Sequence, residues 1–406
     1  MSQTYRVVVI GAGEINFGSP EGPWNHSARL EQIFHSSTTS LQFVALVDPD
    51  VGRAAERIRA KQGSSENHIQ SAWKSTRVCP SIVEAASLLA ATGYKQVNLV
   101  ILGCPPHFRG TMQLGKRADV EMLESFPNAK AFLVEKPVAA INPFLADDCD
   151  QVASRFEAAS GWTSVGYMLR YNKAILKIRE ILAQTGLTPT CINARYFMAY
   201  EYARKLDWWN KSRSCGPVVE QATHFIDLVR FVAGDDNDAL LDTVRATTVN
   251  HTESVGSLSK LGFDESAIPA QERVPRVTSA FWKHEKGTIG TLTHGITLHG
   301  NTYDTEIEVL ADGWILRVRN AYDAVTTLAI RKPGQAEEEI LKIKDDPFLS
   351  EFECLVRCSL PTEDEMAWEK SVPHEPLSSF ADALKTYKLS WKIRLAAEEE
   401  DASRTK

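Results

Sequence analysis

A lysine follows an apolar run in the segment Val134-Glu135-Lys136-Pro137. At the end of a buried strand a lysine is partly removed from water, which disfavours its charged form and suits the amine to proton exchange with a hydroxyl or carbonyl group. A structural ion pair is the alternative for the same residue. The segment therefore predicts that Lys136 lies at a reacting centre or forms an ion pair.

A second acid–base pair lies in the segment from Gly216 to Gly234. Pro217 suits the first turn of a helix and Gly234 suits a C-terminal cap, so this apolar segment is predicted to be one largely buried helix. Glu220 and His224 are four residues apart, which places them on one face of that helix. Because buried ionisable groups are costly unless paired or used, the pair indicates a site that faces a pocket, with a structural pair as the alternative.

Glycines stand directly after the first apolar run, in Gly11-Ala12-Gly13. Glycines there let the backbone turn tightly and approach a pyrophosphate, which backbone amides then hold. The third glycine of the usual Gly-x-Gly-x-x-Gly pattern is replaced by Asn16, and residues 17–25 delay the next helix. The segment predicts a dinucleotide site that departs from the usual pattern near the phosphates, with a glycine turn that binds no ligand as the alternative.

Asp48 ends the next apolar run. An acidic residue at this position accepts hydrogen bonds from the adenosine ribose and repels a 2′-phosphate, so NAD is expected rather than NADP. The segment Asp48-Pro49-Asp50 is also a common turn, which is the alternative.

The segment Gly103-Cys104-Pro105-Pro106-His107 follows a central apolar run. Ligands of open parallel sheets bind beyond the carboxyl ends of the strands, where this segment would lie. His107 is expected either to face a nicotinamide ring or to start a helix, and the residues favour neither.

Short apolar runs place these residues at strand ends. Five runs occur in the first 170 residues, namely Arg6–Ile10, Leu41–Val47, Val97–Leu102, Ala131–Val134 and Thr163–Met168. They alternate with helical patterns such as Val51–Lys61, Ile82–Ala91 and Pro143–Ala159. This alternation predicts an α/β Rossmann domain with a doubly wound parallel sheet.

The remaining residues follow another pattern. After a predicted helix at Lys173–Gln184 come long β-branched runs with few helices between them, namely Cys191–Ala199, Thr243–Val249, Val277–Lys283, Thr288–Leu298, Thr305–Leu310, Trp314–Arg319 and Ala324–Ile330. They predict an open, mostly antiparallel sheet in an α+β domain, with residues 251–275 as a long loop and a last helix at Leu377–Glu399. We expect a Rossmann domain over residues 1–170 and a substrate-binding and oligomerisation domain over residues 171–406.

Composition narrows the classes of partner. The chain has 406 residues, with 45 Lys and Arg against 52 Asp and Glu, a net charge of −7. This mild acidity disfavours nucleic acid and anionic membranes, which need a basic face, and leaves a small-molecule substrate. No apolar stretch of about 18 residues or more occurs, and the seven scattered cysteines are expected to be reduced thiols in a cytoplasmic protein. Cys354 and Cys358 are interpreted as half-buried thiols, with a metal site as the alternative, so no metal is expected.

In this order the motifs resemble the Gfo/Idh/MocA family, named after glucose-fructose oxidoreductase, inositol 2-dehydrogenase and rhizopine catabolism. The resemblance covers most of the chain. It rests on the glycine turn, Asp48, the Cys-Pro-Pro and Glu-Lys-Pro turns, and the segments Gly166–Tyr171, Gly216–His224 and Ser378–Leu395.

The resemblance implies hydride transfer between a nicotinamide cofactor and a carbinol or ketone carbon of a sugar, polyol or related cyclic alcohol. Lys136 and His224 would flank that carbon, and we favour His224 as the proton acceptor and Lys136 as the group that polarises the oxygen. Glu220 is the third expected catalytic residue; it stands where many members have aspartate and would orient or charge the proton acceptor. Where the family has three glycines, this chain has Ser214-Cys215-Gly216, a further departure. Homodimers or homotetramers are usual in the family.

The predicted contacts fall into two sets. Cofactor contacts are expected from Gly11, Gly13, Glu14, Ile15, Asp48, Cys104, Pro105, His107 and Glu135. Substrate contacts are expected from Lys136, Arg170, Tyr171, Trp209 and His224. Tyr171, Trp208, Trp209 and Arg170 would form the pocket wall, although such aromatic residues are as often part of a core.

Two other functions fit the same residues. One is a regulator of the same fold that senses a dinucleotide or a sugar without catalysis. Some such relatives lose the lysine of the Glu-Lys-Pro turn, so the presence of Lys136 and His224 favours the enzyme. The other is a ketone or enone reductase of a specialised pathway, because hydride transfer is reversible.

Overall fold

The computed structural model describes residues 3–94, 96–201, 206–300, 302–360 and 372–404. The chain divides into two compact units: the first contains residues 1–171 and 347–384, and the second contains residues 172–346 and 385–406. The expected boundary at residue 170 treats each domain as one continuous segment. In the structure, the described residues 347–360 and 372–384 group with the first unit.

A six-stranded parallel sheet forms the centre of the first unit, with the strand order β3-β2-β1-β4-β5-β6. Its strands are β1 (Thr4–Ile10), β2 (Ser40–Val47), β3 (Arg77–Cys79), β4 (Leu99–Leu102), β5 (Ala131–Val134) and β6 (Trp162–Val165). β4 and β5 are buried along their whole length, as expected for strands covered on both faces. The predicted doubly wound parallel sheet is confirmed.

Helices flank this sheet. They are α1 (Glu14–Phe17), α2 (His26–Phe34), α3 (Val51–Gln62), α4 (Asn67–Trp73), α5 (Ile82–Ala91), α6 (Ala118–Ser125), α7 (Asp148–Glu157) and, much later in the chain, α11 (Pro347–Ser359). Phe352, Leu355 and Val356 of α11 belong to the same buried cluster as Tyr5 and Val7 of β1. α11 is therefore part of the core of the first unit.

An eight-stranded sheet forms the second unit, with the order β14-β13-β12-β11-β7-β10-β9-β8. Its strands are β7 (Cys191–Ala199), β8 (Ala239–Val249), β9 (Val277–His284), β10 (Ile289–Leu298), β11 (Tyr303–Ala311), β12 (Trp314–Arg319), β13 (Val325–Arg331) and β14 (Glu339–Lys344). Only the pairing of β7 with β10 is parallel among these described strands. The predicted mostly antiparallel sheet is confirmed.

The second unit contains the helices α8 (Lys173–Thr185), α9 (Gly216–Glu220) and α10 (Thr223–Ala233), and most of α12 (Phe380–Arg404). α10 packs on β7 and β10. The single helix expected between Gly216 and Gly234 is thus two helices, interrupted at Gln221 and Ala222. At this interruption the side chain of Gln221 contacts His294 of β10 and Met198 of β7.

Within the described ranges, no helix combines the length and the apolar character that crossing a bilayer requires.

Candidate active site

The glycine turn lies where β1 and β4 meet, at the point where the strand order of the first sheet reverses. Gly11 has a φ of +101°, and a Cβ atom there would lie 3.0 Å from the Cys104 nitrogen. This position therefore requires glycine. A Cβ atom on Gly13 would have no neighbour within 4 Å, so the turn leaves open space of the kind that a diphosphate would need.

Asn16, in place of the third glycine, is fully buried beneath this turn. Its Nδ2 donates a hydrogen bond of 2.7 Å to the Gly11 carbonyl, and its side chain occupies the space into which a Cβ atom on Gly103 would project. Its Oδ1 atom is buried and accepts no hydrogen bond from the described residues. An acceptor of this kind fits a hydroxyl of a bound nucleotide or a water molecule.

Asp48 is buried at the end of β2, and its carboxylate accepts four hydrogen bonds. Its Oδ2 accepts from the Ala12 amide at 2.7 Å, and its Oδ1 accepts from the Asp50 amide at 2.9 Å. The guanidinium of Arg53 lies 2.8 and 3.0 Å from the two oxygens. Asp48 thus holds the glycine turn through the Ala12 amide. Arg53, whose side chain is 49% exposed, covers the Asp48 carboxylate from the solvent side.

Beyond β4, His107 is exposed on a short 3-10 helix at Pro106–Phe108. Burial raises the pKa of the Cys104 thiol to about 11, more than nearby charges lower it, so this cysteine is a neutral thiol at neutral pH. Arg109 is almost completely buried and donates to the Cys104 carbonyl at 3.1 Å and to the Pro137 carbonyl at 2.5 Å. Sequence reasoning missed Arg109, which joins the two strand ends.

The carboxylate of Glu135 is paired with a histidine that sequence reasoning did not select. His26, the first residue of α2, places its Nε2 2.6 Å from Oε1 of Glu135, and both side chains are buried. Burial opposes ionisation of Glu135, but the hydrogen bond and charge of His26, with Lys136 and Arg109, lower its pKa. The backbone at Gly166 packs directly against this carboxylate, since a Cβ atom on Gly166 would lie only 3.0 Å from it. The pair therefore fixes the turn that carries Lys136.

Lys136 lies at the carboxyl end of β5 and is half-buried. Its amide donates a hydrogen bond to Oε2 of Glu135 at 3.2 Å, and its peptide bond to Pro137 is cis. Lys136 is thus at the same edge of the sheet as the glycine turn and Asp48, as the sequence predicted.

His224 is buried near the start of α10, with its ring edge-on to Tyr322 at a centroid distance of 6.2 Å. Glu220 ends α9, and its Oε1 accepts a hydrogen bond of 2.8 Å from the Cys215 amide. The interruption at Gln221 separates the two residues into different helices. The expectation that one continuous helix presents both residues is therefore wrong: Glu220 ends one helix and His224 lies near the start of the next.

A polar aromatic cluster adjoins His224 through Tyr322, and sequence reasoning did not find it. His294 of β10 is buried, lies 2.9 Å from Oε1 of Gln221, and packs edge-on against Tyr196. Burial lowers the pKa of His294 to about 3, so it is neutral at neutral pH. Tyr196 and Tyr322 also pack together. The residues come from separate strands and a loop, so only the tertiary structure reveals the cluster.

Two of the predicted pocket residues have structural partners in the first unit. Arg170 pairs with Asp382 at 2.6 Å and donates to the Leu377 carbonyl, and the hydroxyl of Tyr171 accepts the Leu377 amide proton at 2.9 Å. Both side chains are buried in the first unit.

Trp209 is buried in the second unit against Tyr200 and Phe263. The structure therefore does not bring Trp209 together with Arg170 or Tyr171 within one unit.

A cavity in the second unit contains none of the predicted site residues. It lies between β8, α9 and α12, and Thr248, Val218 and Arg394 are among its lining residues.

Two protein-family models match successive parts of this chain. A model of the oxidoreductase family with an NAD-binding Rossmann fold matches residues 5–167, and a model of an oxidoreductase C-terminal domain matches residues 170–314. Two uncharacterized proteins of Schizosaccharomyces pombe, UNK4.17 and C12C2.04, are 37% and 35% identical over 95% of this chain, and the matches cover 90% and 95% of those proteins.

Solved structures share the fold at lower identity. UDP-N-acetylglucosamine 3-dehydrogenase GnnA from Acidithiobacillus ferrooxidans is 16% identical with a TM-score of 0.64, and levoglucosan dehydrogenase in complex with NADH is 14% identical with a TM-score of 0.66; each match covers 98% of both chains. A super-repressor mutant of Gal80p from Saccharomyces cerevisiae is 13% identical with a TM-score of 0.67, covering 98% of this chain and 96% of that one.

At such identities these likenesses concern the fold alone. The family models over both parts of the chain and the yeast relatives along nearly its whole length establish more: this protein belongs to the Gfo/Idh/MocA oxidoreductase family, with an NAD(P)-binding Rossmann fold.

Proposed function

We propose that this protein is an NAD-dependent dehydrogenase or reductase that acts on a carbinol or ketone carbon of a sugar, polyol or related cyclic alcohol. The observation that carries the proposal is the placement of Lys136. This half-buried lysine lies at the edge of the sheet that also carries the glycine turn, and the buried pair of His26 and Glu135 holds it there. The names of GnnA and levoglucosan dehydrogenase, which refer to sugar-type substrates, support this substrate class.

The residues of the first unit fit a dinucleotide. The space beside Gly13 and the buried acceptor on Asn16 are the features that a diphosphate and a hydroxyl would use. The proposed contacts are Gly11, Gly13, Glu14, Ile15, Asp48, Cys104, Pro105, His107 and Glu135. When bound, the nicotinamide ring supplies the hydride acceptor or donor.

The protein's own side chains would handle the proton and the charge on oxygen. We assign Lys136 to the polarisation of the substrate oxygen and His224 to the acceptance of its proton. Glu220 holds the Cys215 amide before α9, so we assign it a positioning role. The assignment of Lys136 and His224 to one reaction rests on the family resemblance.

NAD is proposed rather than NADP because a buried carboxylate ends β2. A 2′-phosphate beside Asp48 would be repelled, whereas ribose hydroxyls can donate hydrogen bonds to a carboxylate. Arg53 already occupies both oxygens of Asp48, so a ribose would have to displace an exposed side chain.

Replacement of Lys136 with alanine tests the proposed role. We expect turnover of a confirmed polyol or sugar substrate to fall by about 10²- to 10⁴-fold, the usual contribution of a positioned acid–base group, while the Kd for NADH changes little. The Lys130→Ala variant is the matched control, because Lys130 is an exposed lysine just before the same strand. Turnover that is unchanged in Lys136→Ala would contradict the role.

A sensor without catalysis is the second candidate, because a transcriptional regulator is among the solved structures that share this fold. The Gal80p regulator shares the fold. Tight NADH binding with no hydride exchange in either direction, over a panel of polyols and their ketones, would favour the sensor. Exchange with any member of the panel would favour the enzyme.

A further inference from the structure

Two histidines and a glutamate meet on the surface of the first unit, on residues that the proposed reaction does not use. His35 directly follows α2, Glu66 precedes α4 as its N-cap, and His68 lies in the first turn of α4. One ligand atom from each of the three side chains lies within 4.8 Å of the others. In the part of the chain that the structure describes, no other group of three or more His, Cys, Asp or Glu side chains meets this criterion.

The separations suit a shared metal ion. The two Nδ1 atoms of His35 and His68 lie 3.1 Å apart. If each lay about 2.05 Å from one ion, as in zinc–imidazole sites, they would subtend an angle of about 100° at the metal. Nδ1 of His68 lies 3.7 Å from Oε2 of Glu66, which corresponds to about 125° for a zinc–oxygen distance of about 2.1 Å. These two angles bracket the tetrahedral value of about 109°, and the third pair of ligand atoms, from His35 and Glu66, lies within 4.8 Å.

We propose that His35, Glu66 and His68 bind one transition-metal dication. Two imidazoles and a carboxylate suit Zn²⁺, Ni²⁺ or Cu²⁺, whereas Mg²⁺ and Ca²⁺ prefer oxygen ligands. The C-terminal end of α2, where His35 lies, favours a nearby positive charge, whereas the N-terminal end of α4, where Glu66 and His68 lie, opposes it, so the helix dipoles largely offset each other here. Because the three side chains are on the surface, water would complete the coordination.

The metal-free arrangement has an explanation of its own. Two imidazole nitrogens 3.1 Å apart can share one hydrogen, with one ring donating and the other accepting. The rings lie edge to face, with centroids 4.3 Å apart. Binding of the metal moves that hydrogen to Nε2 of the same ring and leaves a lone pair on both Nδ1 atoms.

The ion would tie α2 to α4 within the first unit. α2 has nine residues and is therefore about 13 Å long, and its other end begins with His26, the partner of Glu135. The metal would therefore lie at the opposite end of α2 from the turn that carries Lys136. We assign it a stabilising role rather than a part in hydride transfer.

Titration with ZnCl₂ tests the site. The full chain, free of any affinity tag and treated with a chelator, is titrated by calorimetry beside the His35→Ala, His68→Ala and Glu66→Gln variants. We expect one zinc ion per chain, at least tenfold weaker binding in each histidine variant, and a smaller loss in Glu66→Gln. Zinc should raise the melting temperature of the wild type and not that of His35→Ala.

The His299→Ala variant is the matched control, because His299 is also exposed and lies 3.8 Å from Glu201 without a second imidazole. It should bind zinc as the wild type does. Melting curves in EDTA check that all variants fold, and the exposure of His35 and Glu66 makes this the expected result. Equal zinc affinity in His35→Ala or His68→Ala, or no binding by the wild type, would overturn the proposal. A thiolate charge-transfer band with Co²⁺ would place the metal on cysteine and would also overturn it.

Discussion

Buried polar residues at strand ends in the first unit have several partners each. Asp48 accepts four hydrogen bonds, and Arg109 joins the carbonyls of Cys104 and Pro137. Because an unpaired buried polar group costs about 1–3 kcal/mol, such residues are hard to replace without loss of stability. The test of cofactor choice therefore needs a substitution that keeps the hydrogen bonds and changes only the charge.

Asp48→Asn comes closest to this requirement. Its amide oxygen can still accept the hydrogen bond from the Ala12 amide, whereas its NH2 group replaces the oxygen that accepts from the Asp50 amide, so that bond is lost. The substitution also removes the charge that would repel a 2′-phosphate, and it weakens the hold on Arg53, whose guanidinium suits phosphate. We expect wild-type protein to bind NADH more tightly than NADPH, and the variant to lose about tenfold of that preference, or about 1.4 kcal/mol. Fluorescence titration with both cofactors measures the ratio.

Asp50→Asn is the control for Asp48→Asn. Asp50 is exposed and caps α3 through the Arg53 amide, which asparagine can also do. Its cofactor preference should match that of the wild type. Tighter binding of NADPH than NADH by the wild-type protein would contradict the assignment of NAD.

At the scale of elements, one buried hydrogen-bonded pair joins α2 to the end of β5. The partners are His26 and Glu135, and the ring of His26 also packs against Phe352 of α11 at a centroid distance of 5.0 Å. The segment before α2 could be recognised in the sequence as an insertion, but the partner of His26 lies 109 residues away. Hydrophobic periodicity contains no information on such a pairing.

The pair makes the stability of the protein depend on pH. The pKa of Glu135 lies below its ordinary value of 4.5 in the folded protein, so the folded state favours the carboxylate. This contribution to stability is complete above the unfolded-state pKa and is lost as the pH falls through the folded-state pKa. Urea unfolding of Glu135→Gln should therefore show a loss of stability at pH 7 that shrinks below about pH 4.

His26→Ala checks the same pair from the other side. Removing one partner leaves an uncompensated buried charge, which costs about 3–5 kcal/mol. We expect this loss at neutral pH in urea unfolding. A difference between wild type and Glu135→Gln that stays constant or grows towards acid pH would contradict the assignment of a paired carboxylate.

At the scale of the whole molecule, apolar runs predicted both sheet types, and the departures have physical reasons. β3 has only three residues, which are too few to show a periodic pattern. β14 is exposed or half-exposed along its length, so its sequence shows no apolar run. The motifs placed Lys136 and Asp48 at strand ends. His26, Arg109 and the group of His35, Glu66 and His68 were missed, because residues far apart in sequence meet there only through tertiary packing.

Hydrophobic patterns in the sequence also did not predict that residues 347–360 and 372–384 group with the first unit. The amphipathic pattern of α11 predicts that one face of the helix is buried. It does not identify the element against which that face packs. Phe352, Leu355 and Val356 are fully buried in the cluster that contains β1. The hydroxyl of Tyr5 lies 2.6 Å from the hydroxyl of Ser359 at the end of α11.

A fragment of residues 1–170 should therefore not fold cooperatively by itself. Burial of three large apolar side chains contributes about 5–9 kcal/mol, which is comparable to the whole stability of a typical domain, about 5–15 kcal/mol. Without α11, the core around Tyr5 would be exposed to water. We expect shallow urea transitions and weak NADH binding from this fragment.

The matched control joins residues 347–384 to residue 171 through a glycine-serine linker. This protein keeps every segment of the first unit and should unfold in one cooperative transition, because the core around β1 and α11 is restored. The midpoint and slope of urea unfolding, followed by tryptophan fluorescence, compare the two proteins directly. If the fragment of residues 1–170 unfolds as cooperatively and at the same midpoint as the joined protein, α11 contributes nothing to the first unit, and the continuous division at residue 170 is the better description.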